Sequence, residues 1–147
     1  MAKLYFRYGA MGCGKTMQLL QVAFNYEERG HKVCVIKPKM DTKNGDKLLT
    51  RIGPERKTDF CVTKDDNLYE LVKSKFSDVA CVLVDEAQFL TTEQADQLMK
   101  ITTKLDIPVM AYGLRLNFRL SGGGFDGATR LLQIAHDIDE IKTICEC

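Results

Sequence analysis

Gly9-Ala10-Met11-Gly12-Cys13-Gly14-Lys15-Thr16 is the stretch on which the reading of this chain turns. It fits the pattern Gly-x-x-x-x-Gly-Lys-Ser/Thr, and its setting matters as much as its letters. Before it, Lys3 to Tyr8 alternates apolar and polar side chains, as a strand does. After it, from Lys15 to about Arg29, the apolar residues Met17, Leu20, Val22, Ala23 and Phe24 recur near helical spacing, and Gly30 closes the segment. A glycine-rich turn between a strand and a helix points successive backbone N–H groups at a phosphate, and the helix N-terminus adds partial positive charge. Lys15 is then expected to reach the β- and γ-phosphates of a nucleoside triphosphate, and the Thr16 hydroxyl to ligate Mg²⁺.

Outward from the loop, Val33-Cys34-Val35-Ile36 is a short apolar run ending at Pro38, the pattern of a buried parallel strand. Residues 39–60 are polar and without a period, and read as a long loop before Phe60-Cys61-Val62 returns to the sheet. Asp66 or Asn67 can cap a helix through Leu68, Leu71 and Val72, and Val79 to Val84 is the most apolar strand. Thr91-Thr92-Glu93-Gln94 resembles a capping box leading into a helix through Ala95, Leu98, Met99 and Thr102, followed by a strand from Ile107 to Tyr112. Strands alternating with helices predict an α/β fold of the P-loop, RecA-like kind: a mostly parallel sheet with helices on both faces.

The 147 residues suit one domain, and 21 basic against 20 acidic residues leave a formal net charge of +1, which argues against a general nucleic-acid binder. No run approaches the roughly 20 apolar residues that cross a bilayer, and no signal peptide opens the chain, so a cytoplasmic protein without a membrane partner is expected. Cys34, Cys61 and Cys81 lie in apolar strands and read as reduced core residues, whereas Cys145 and Cys147 look like a pair.

Val82-Leu83-Val84-Asp85-Glu86 ends an apolar strand in two carboxylates, at the edge where a parallel sheet binds its ligands. Asp85 is expected to hold Mg²⁺ opposite Thr16, leaving Glu86 to accept a proton from an attacking hydroxyl. The competing reading, an acidic start to a solvated loop, loses weight beside the phosphate loop. Asp85-Glu86-Ala87-Gln88 is also found in helicase-type ATPases, but the chain offers a single domain and no basic stripe. Thr103-Lys104-Leu105-Asp106 could suggest guanine readout, yet it precedes a strand where readout would follow one, and it reads as a solvated helix end.

Taken in order, the phosphate loop, Lys37-Pro38-Lys39, Asp41-Thr42-Lys43, Thr50-Arg51-Ile52-Gly53, Val84-Asp85-Glu86-Ala87-Gln88-Phe89 and Tyr112-Gly113-Leu114-Arg115-Leu116-Asn117-Phe118-Arg119 resemble the thymidine kinase family of the cytosolic, zinc-containing type. The resemblance runs nearly the whole chain. It implies transfer of the γ-phosphate of ATP to the 5′-hydroxyl of thymidine or deoxyuridine, with Glu86 as general base and Lys15 on the phosphates. Gly9, Ala10, Met11, Gly12, Cys13, Gly14, Lys15, Thr16, Asp85 and Gln88 would form the ATP and Mg²⁺ side. Met11, Lys43, Phe89, Leu114, Phe118 and Phe125 would form the acceptor side. It further implies a homotetramer with feedback by thymidine triphosphate.

The chain departs from the family pattern in places. Asp41-Thr42-Lys43 stands where Asp-x-Arg is usual, so a forked phosphate contact becomes a point charge. Asn117 replaces an aspartate, and Leu120-Ser121-Gly122-Gly123-Gly124-Phe125 is longer and richer in glycine than the usual link. The sequence stops at Cys145-Glu146-Cys147, where the family continues into a zinc module and a loop that grips thymine. The resulting expectation is a kinase domain over 1–144 and the beginning of a zinc module over 145–147, with Cys145 and Cys147 as Zn²⁺ ligands of a half-built site if the chain continues, and with zinc weak or absent if it does not. A second reading, an ATP-binding module without turnover, stays open at this point.

Overall fold

Leu4 and Phe6 are fully buried while Tyr5 between them and Arg7 after them are not, so the alternation seen in the first strand is a division between the two faces of a sheet. The computed structural model describes residues 1–9, 14–39, 47–48, 56–114 and 126–141. Its elements run β1 (Leu4–Tyr8), α1 (Lys15–Glu28), β2 (Val33–Pro38), β3 (Lys47–Leu48), β4 (Arg56–Lys57), β5 (Phe60–Val62), α2 (Leu68–Lys75), β6 (Cys81–Val84), a 3-10 turn (Ala87–Phe89), α3 (Thr92–Leu105), β7 (Val109–Gly113), α4 (Asp126–Ile134) and β8 (Asp137–Glu140). Six strands form one sheet in the order β5-β2-β6-β7-β1-β8, and every pairing in it is parallel.

Helices cover both faces, as expected. Cys34, Ile36, Val82 and Val84 pack with residues of α2, α3 and α4 on one side, including Leu68, Val72, Leu98, Ile101 and Leu131. Val33, Val35, Cys81, Leu83 and Tyr112 pack with Leu19 and Ala23 of α1 on the other. Because strands β2 and β6 are buried from both sides, their sequences are continuous apolar runs. Each large side chain so buried contributes about 1.5–3 kcal/mol. Among the described residues no helix is long and apolar enough to cross a membrane.

The caps follow the sequence. Asn67 accepts a hydrogen bond from the Glu70 N–H at 3.0 Å and is the N-cap of α2, while Asp66 instead accepts from the Thr63 N–H and hydroxyl. Thr91 and Gln94 form the reciprocal capping box of α3, which ends at Asp106 in the left-handed region, so residues 103–106 are a helix end. Gly30, at φ +82°, ends α1 as expected.

Several expectations need correction. Within α1 the buried apolar positions are Leu19 and Ala23, whereas Met17 and Phe24 point outward at 45% and 55% exposure. Helical spacing groups residues onto faces without saying which face meets the sheet. The segment 39–60 also contains a short antiparallel pair, β3 with β4, apart from the main sheet. Cys34 and Cys81 are buried and in no disulfide among the described residues, but Cys61 is only half-buried.

Residues 126–141, left without an element by the sequence reading, form α4 and β8. All four residues of β8 are exposed, so no alternation marks it. Backbone pairing with β1 holds it, and the His136 N–H donates to the Leu4 carbonyl while the Leu4 N–H donates to His136 Nδ1, each at 2.9 Å.

Candidate active site

Parallel strands bring the ends of β1, β6 and β7 to one edge of the sheet, with β7 between the other two. At the end of β1 the Gly9 N–H donates to the Gly113 carbonyl at 3.2 Å, which fixes the entrance of the phosphate loop against the end of β7. Gly14, with φ 84°, turns the chain into α1 in a conformation that a side chain would oppose. Ala10, Met11, Gly12 and Cys13 lie outside the described residues.

Lys15 opens α1 and is 9% exposed. Among the described residues nothing pairs with its ammonium group. A lysine at a helix N-terminus adds its positive charge to that of the helix dipole, and both favour an anion there.

Thr16 follows on the same turn, and its hydroxyl donates to Asp85 Oδ2 at 3.2 Å. Asp85 is 2% exposed, and its other oxygen accepts the Glu86 N–H at 2.9 Å. Burial pushes the Asp85 carboxyl above its ordinary value, and the neighbouring Glu86 charge pushes the same way. The Glu86 N–H, Lys37 and the Thr16 hydroxyl oppose them with less effect.

Lys37 reaches this position by strand alternation. Val33 and Val35 of β2 and Cys81 and Leu83 of β6 face α1, and Lys37 and Asp85 continue the two series. Sequence reading gave Lys37 no role of its own. The signal that could have singled it out is a lysine continuing an otherwise apolar alternation at the carboxyl end of a strand.

A carboxylate and a hydroxyl, both hard oxygen donors, suit Mg²⁺. The buried negative charge of Asp85, only partly compensated by the protein, is the feature such an ion satisfies.

Glu86 takes the left-handed conformation, φ 54° and ψ 41°, as the chain leaves β6 for the 3-10 turn. For a residue with a Cβ this costs about 1 kcal/mol, and strain of this kind is often retained where it aims a functional side chain. Its carboxylate Oε2 accepts from Gln88 Nε2 at 2.8 Å, while Gln88 Oε1 accepts from the Leu114 N–H at 3.1 Å. Gln88, expected near the nucleotide, thus has both ends of its amide engaged within the protein, and it is 2% exposed.

The structure brings Gly9, Gly14, Lys15, Thr16, Asp85, Glu86, Gln88 and Leu114 to this edge of the sheet. Phe89, one residue beyond Gln88, is 39% exposed, and Leu114 is half-buried. Lys43, Phe118, Phe125, Cys145 and Cys147 lie outside the described residues. Sequence reading also missed Gly113 and Gly127. A Cβ on Gly113 would lie 2.6 Å from Gln88 Oε1, and one on Gly127 would run into the Ala87 carbonyl, so α4 packs directly on the turn that carries Gln88.

Comparison with known proteins agrees with this arrangement. The chain is 47% identical over 150 residues to the thymidine kinase of Francisella tularensis subsp. holarctica, an alignment covering 100% of this chain and 75% of the relative. It is 46% identical over 151 residues to that of Coxiella burnetii, covering 100% and 76%, and 44% identical over 150 residues to that of Enterobacteria phage T4, again covering 100% and 76%. Among solved structures it resembles a DNA replication initiation factor with TM-score 0.54 at 16% identity, covering 97% of this chain and 40% of the other. It also resembles Bacteroides Pif1 bound to ssDNA with TM-score 0.53 at 17% identity, covering 97% and 39%. Identities that low speak for a shared α/β P-loop fold alone. The family model described as thymidine kinase matches residues 2–147; with relatives this similar along its whole length, the chain belongs to the thymidine kinase family.

Proposed function

We propose that this protein transfers the γ-phosphate of ATP to the 5′-hydroxyl of thymidine or deoxyuridine, with Glu86 as general base. The observation that carries the reading is the cluster at one sheet edge: the buried Lys15, with no partner among the described residues, the Thr16–Asp85 hydrogen bond, and Glu86, whose charge acts on Asp85. Lys15 and the backbone at the start of α1 bind the phosphates. Thr16 and Asp85 would hold Mg²⁺, which when bound neutralises charge on the β- and γ-phosphates. Glu86 accepts the proton of the 5′-hydroxyl as that oxygen bonds to the γ-phosphorus. The bond from the γ-phosphorus to the bridging oxygen breaks, and ADP leaves. Most of the acceleration in such a reaction comes from holding acceptor and phosphate in line.

In this reading Phe89, Leu114, Met11, Lys43, Phe118 and Phe125 serve the acceptor side. The same reading includes a cytoplasmic homotetramer, with zinc drawn to Cys145 and Cys147; sedimentation and metal content measure these two features. The test of the activity is Glu86→Gln in a radiolabelled phosphate-transfer assay with thymidine. We expect wild type to form thymidine monophosphate and the variant to bind ATP without transfer. No product from thymidine with the unmodified chain, while ATP still binds, would overturn the assignment in favour of a nucleotide-binding module.

A further inference from the structure

Gln88 is a buried polar side chain at this edge whose two ends touch different parts of the site. Its amide orientation is fixed by chemistry, because the Leu114 N–H can only donate and therefore faces the carbonyl oxygen Oε1. The amino end then has to face Glu86, where it donates to Oε2 at 2.8 Å. Among the described residues no group bonds Glu86 Oε1, so one carboxylate oxygen is held and the other is left for a proton.

The surroundings leave Gln88 little choice of position. It is 2% exposed, it lies in the 3-10 turn that α4 packs on, and Gly113 has no space for a Cβ because Oε1 would be 2.6 Å from it. A carboxylate on a flexible side chain gains reactivity when a neighbour fixes it, and a displacement of about 1 Å can cost about 100-fold in rate.

We infer that Gln88 is a positioning residue that sets the Glu86 carboxylate in register with the segment beginning at Leu114, so that the proton acceptor and the acceptor pocket are held by a single amide. Gly113 is the residue that leaves room for it. The inference rests on the reading of Glu86 as general base, and the experiment separates the two.

Gln88→Glu keeps an oxygen for the Leu114 N–H but replaces the donor that holds Glu86, whereas Gln88→Met removes both links. Gly113→Ala displaces the amide without touching it, and serves if either Gln88 variant fails to fold. With thymidine and Mg·ATP, each folded variant is expected to lose about 10–100-fold in kcat, with KM for ATP within about twofold of wild type. A purely structural role would lower melting temperature without this split between kcat and KM. Gln88→Glu with kcat within about threefold of wild type, or a loss of activity that follows lost ATP affinity, would overturn the inference. If Glu86→Gln retains transfer, the general-base reading itself fails; if Glu86→Gln is inactive and the Gln88 variants are not impaired, only the positioning role fails.

Discussion

The thiol of Cys81 and the hydroxyl of Tyr112 lie beneath α1, at 0% and 1% exposure, and this gives the fold a specific weakness in alkali. Burial pushes Cys81 from its ordinary 9.0 up to about 12, and burial foremost pushes Tyr112 from 10.0 up to about 12. Both groups are acids raised in the folded state. Their contribution to stability is therefore complete below the unfolded values and falls as pH rises toward the folded ones. At about pH 10 the unfolded thiol is largely ionised while the folded one is not, a loss of about 1–2 kcal/mol; Tyr112 adds less than about 1 kcal/mol. The total is close to 2 kcal/mol, about 5 °C in melting temperature for a chain of this size. Because the folded groups stay protonated at that pH, the figure hardly depends on how far beyond 11 they are pushed. Cys81→Ala should cost about 1 kcal/mol at every pH through lost packing. It should also shrink the difference between about pH 7.5 and about pH 10 by about 1–2 kcal/mol. Urea melts of both proteins at the two pH values measure this. If the variant loses as much as wild type on going to pH 10, the thiol is not the source and the reasoning fails.

Two further predictions come from the site and its support. Asp85→Asn should stabilise the Mg²⁺-free protein by about 1 kcal/mol, since it removes a buried charge that the protein only partly compensates, and should abolish the added stability that Mg·ATP gives wild type; thermal melts in EDTA and in Mg·ATP check both halves, and a destabilised EDTA form would count against it. Gly127→Ala should lower stability by about 1–3 kcal/mol despite alanine's better helix propensity, because its Cβ meets the carbonyls of Ala87 and Leu90. Urea melts measure that loss, and kcat should fall with it because the same turn carries Gln88.

The features legible in the sequence were those set by neighbours in the chain. A strand, glycines and a helix specify the phosphate loop within residues 4–28, and the Thr91 capping box needs only Gln94 three residues on. Asp85 and Glu86 could be placed at the edge of a sheet because the apolar run before them is continuous. What stayed hidden depends on distant partners. β8 carries no alternation, since backbone pairing with a strand more than 130 residues away holds it. The role of Gln88 depends on the end of β7, reached 26 residues later, and on a glycine whose importance lies in what it lacks. The left-handed turn at Glu86 runs against the local preference of a glutamate, so no local reading would suggest it. That conflict is informative in its own right. Among the described residues only Glu86 and the helix-ending Asp106 take positive φ without being glycine; at Glu86, the residue proposed to take the proton, Gln88 is the buried group that rewards the departure. Local sequence and tertiary structure therefore disagree at the point where the proposed chemistry occurs, as expected if the position is kept for the reaction and not for the fold.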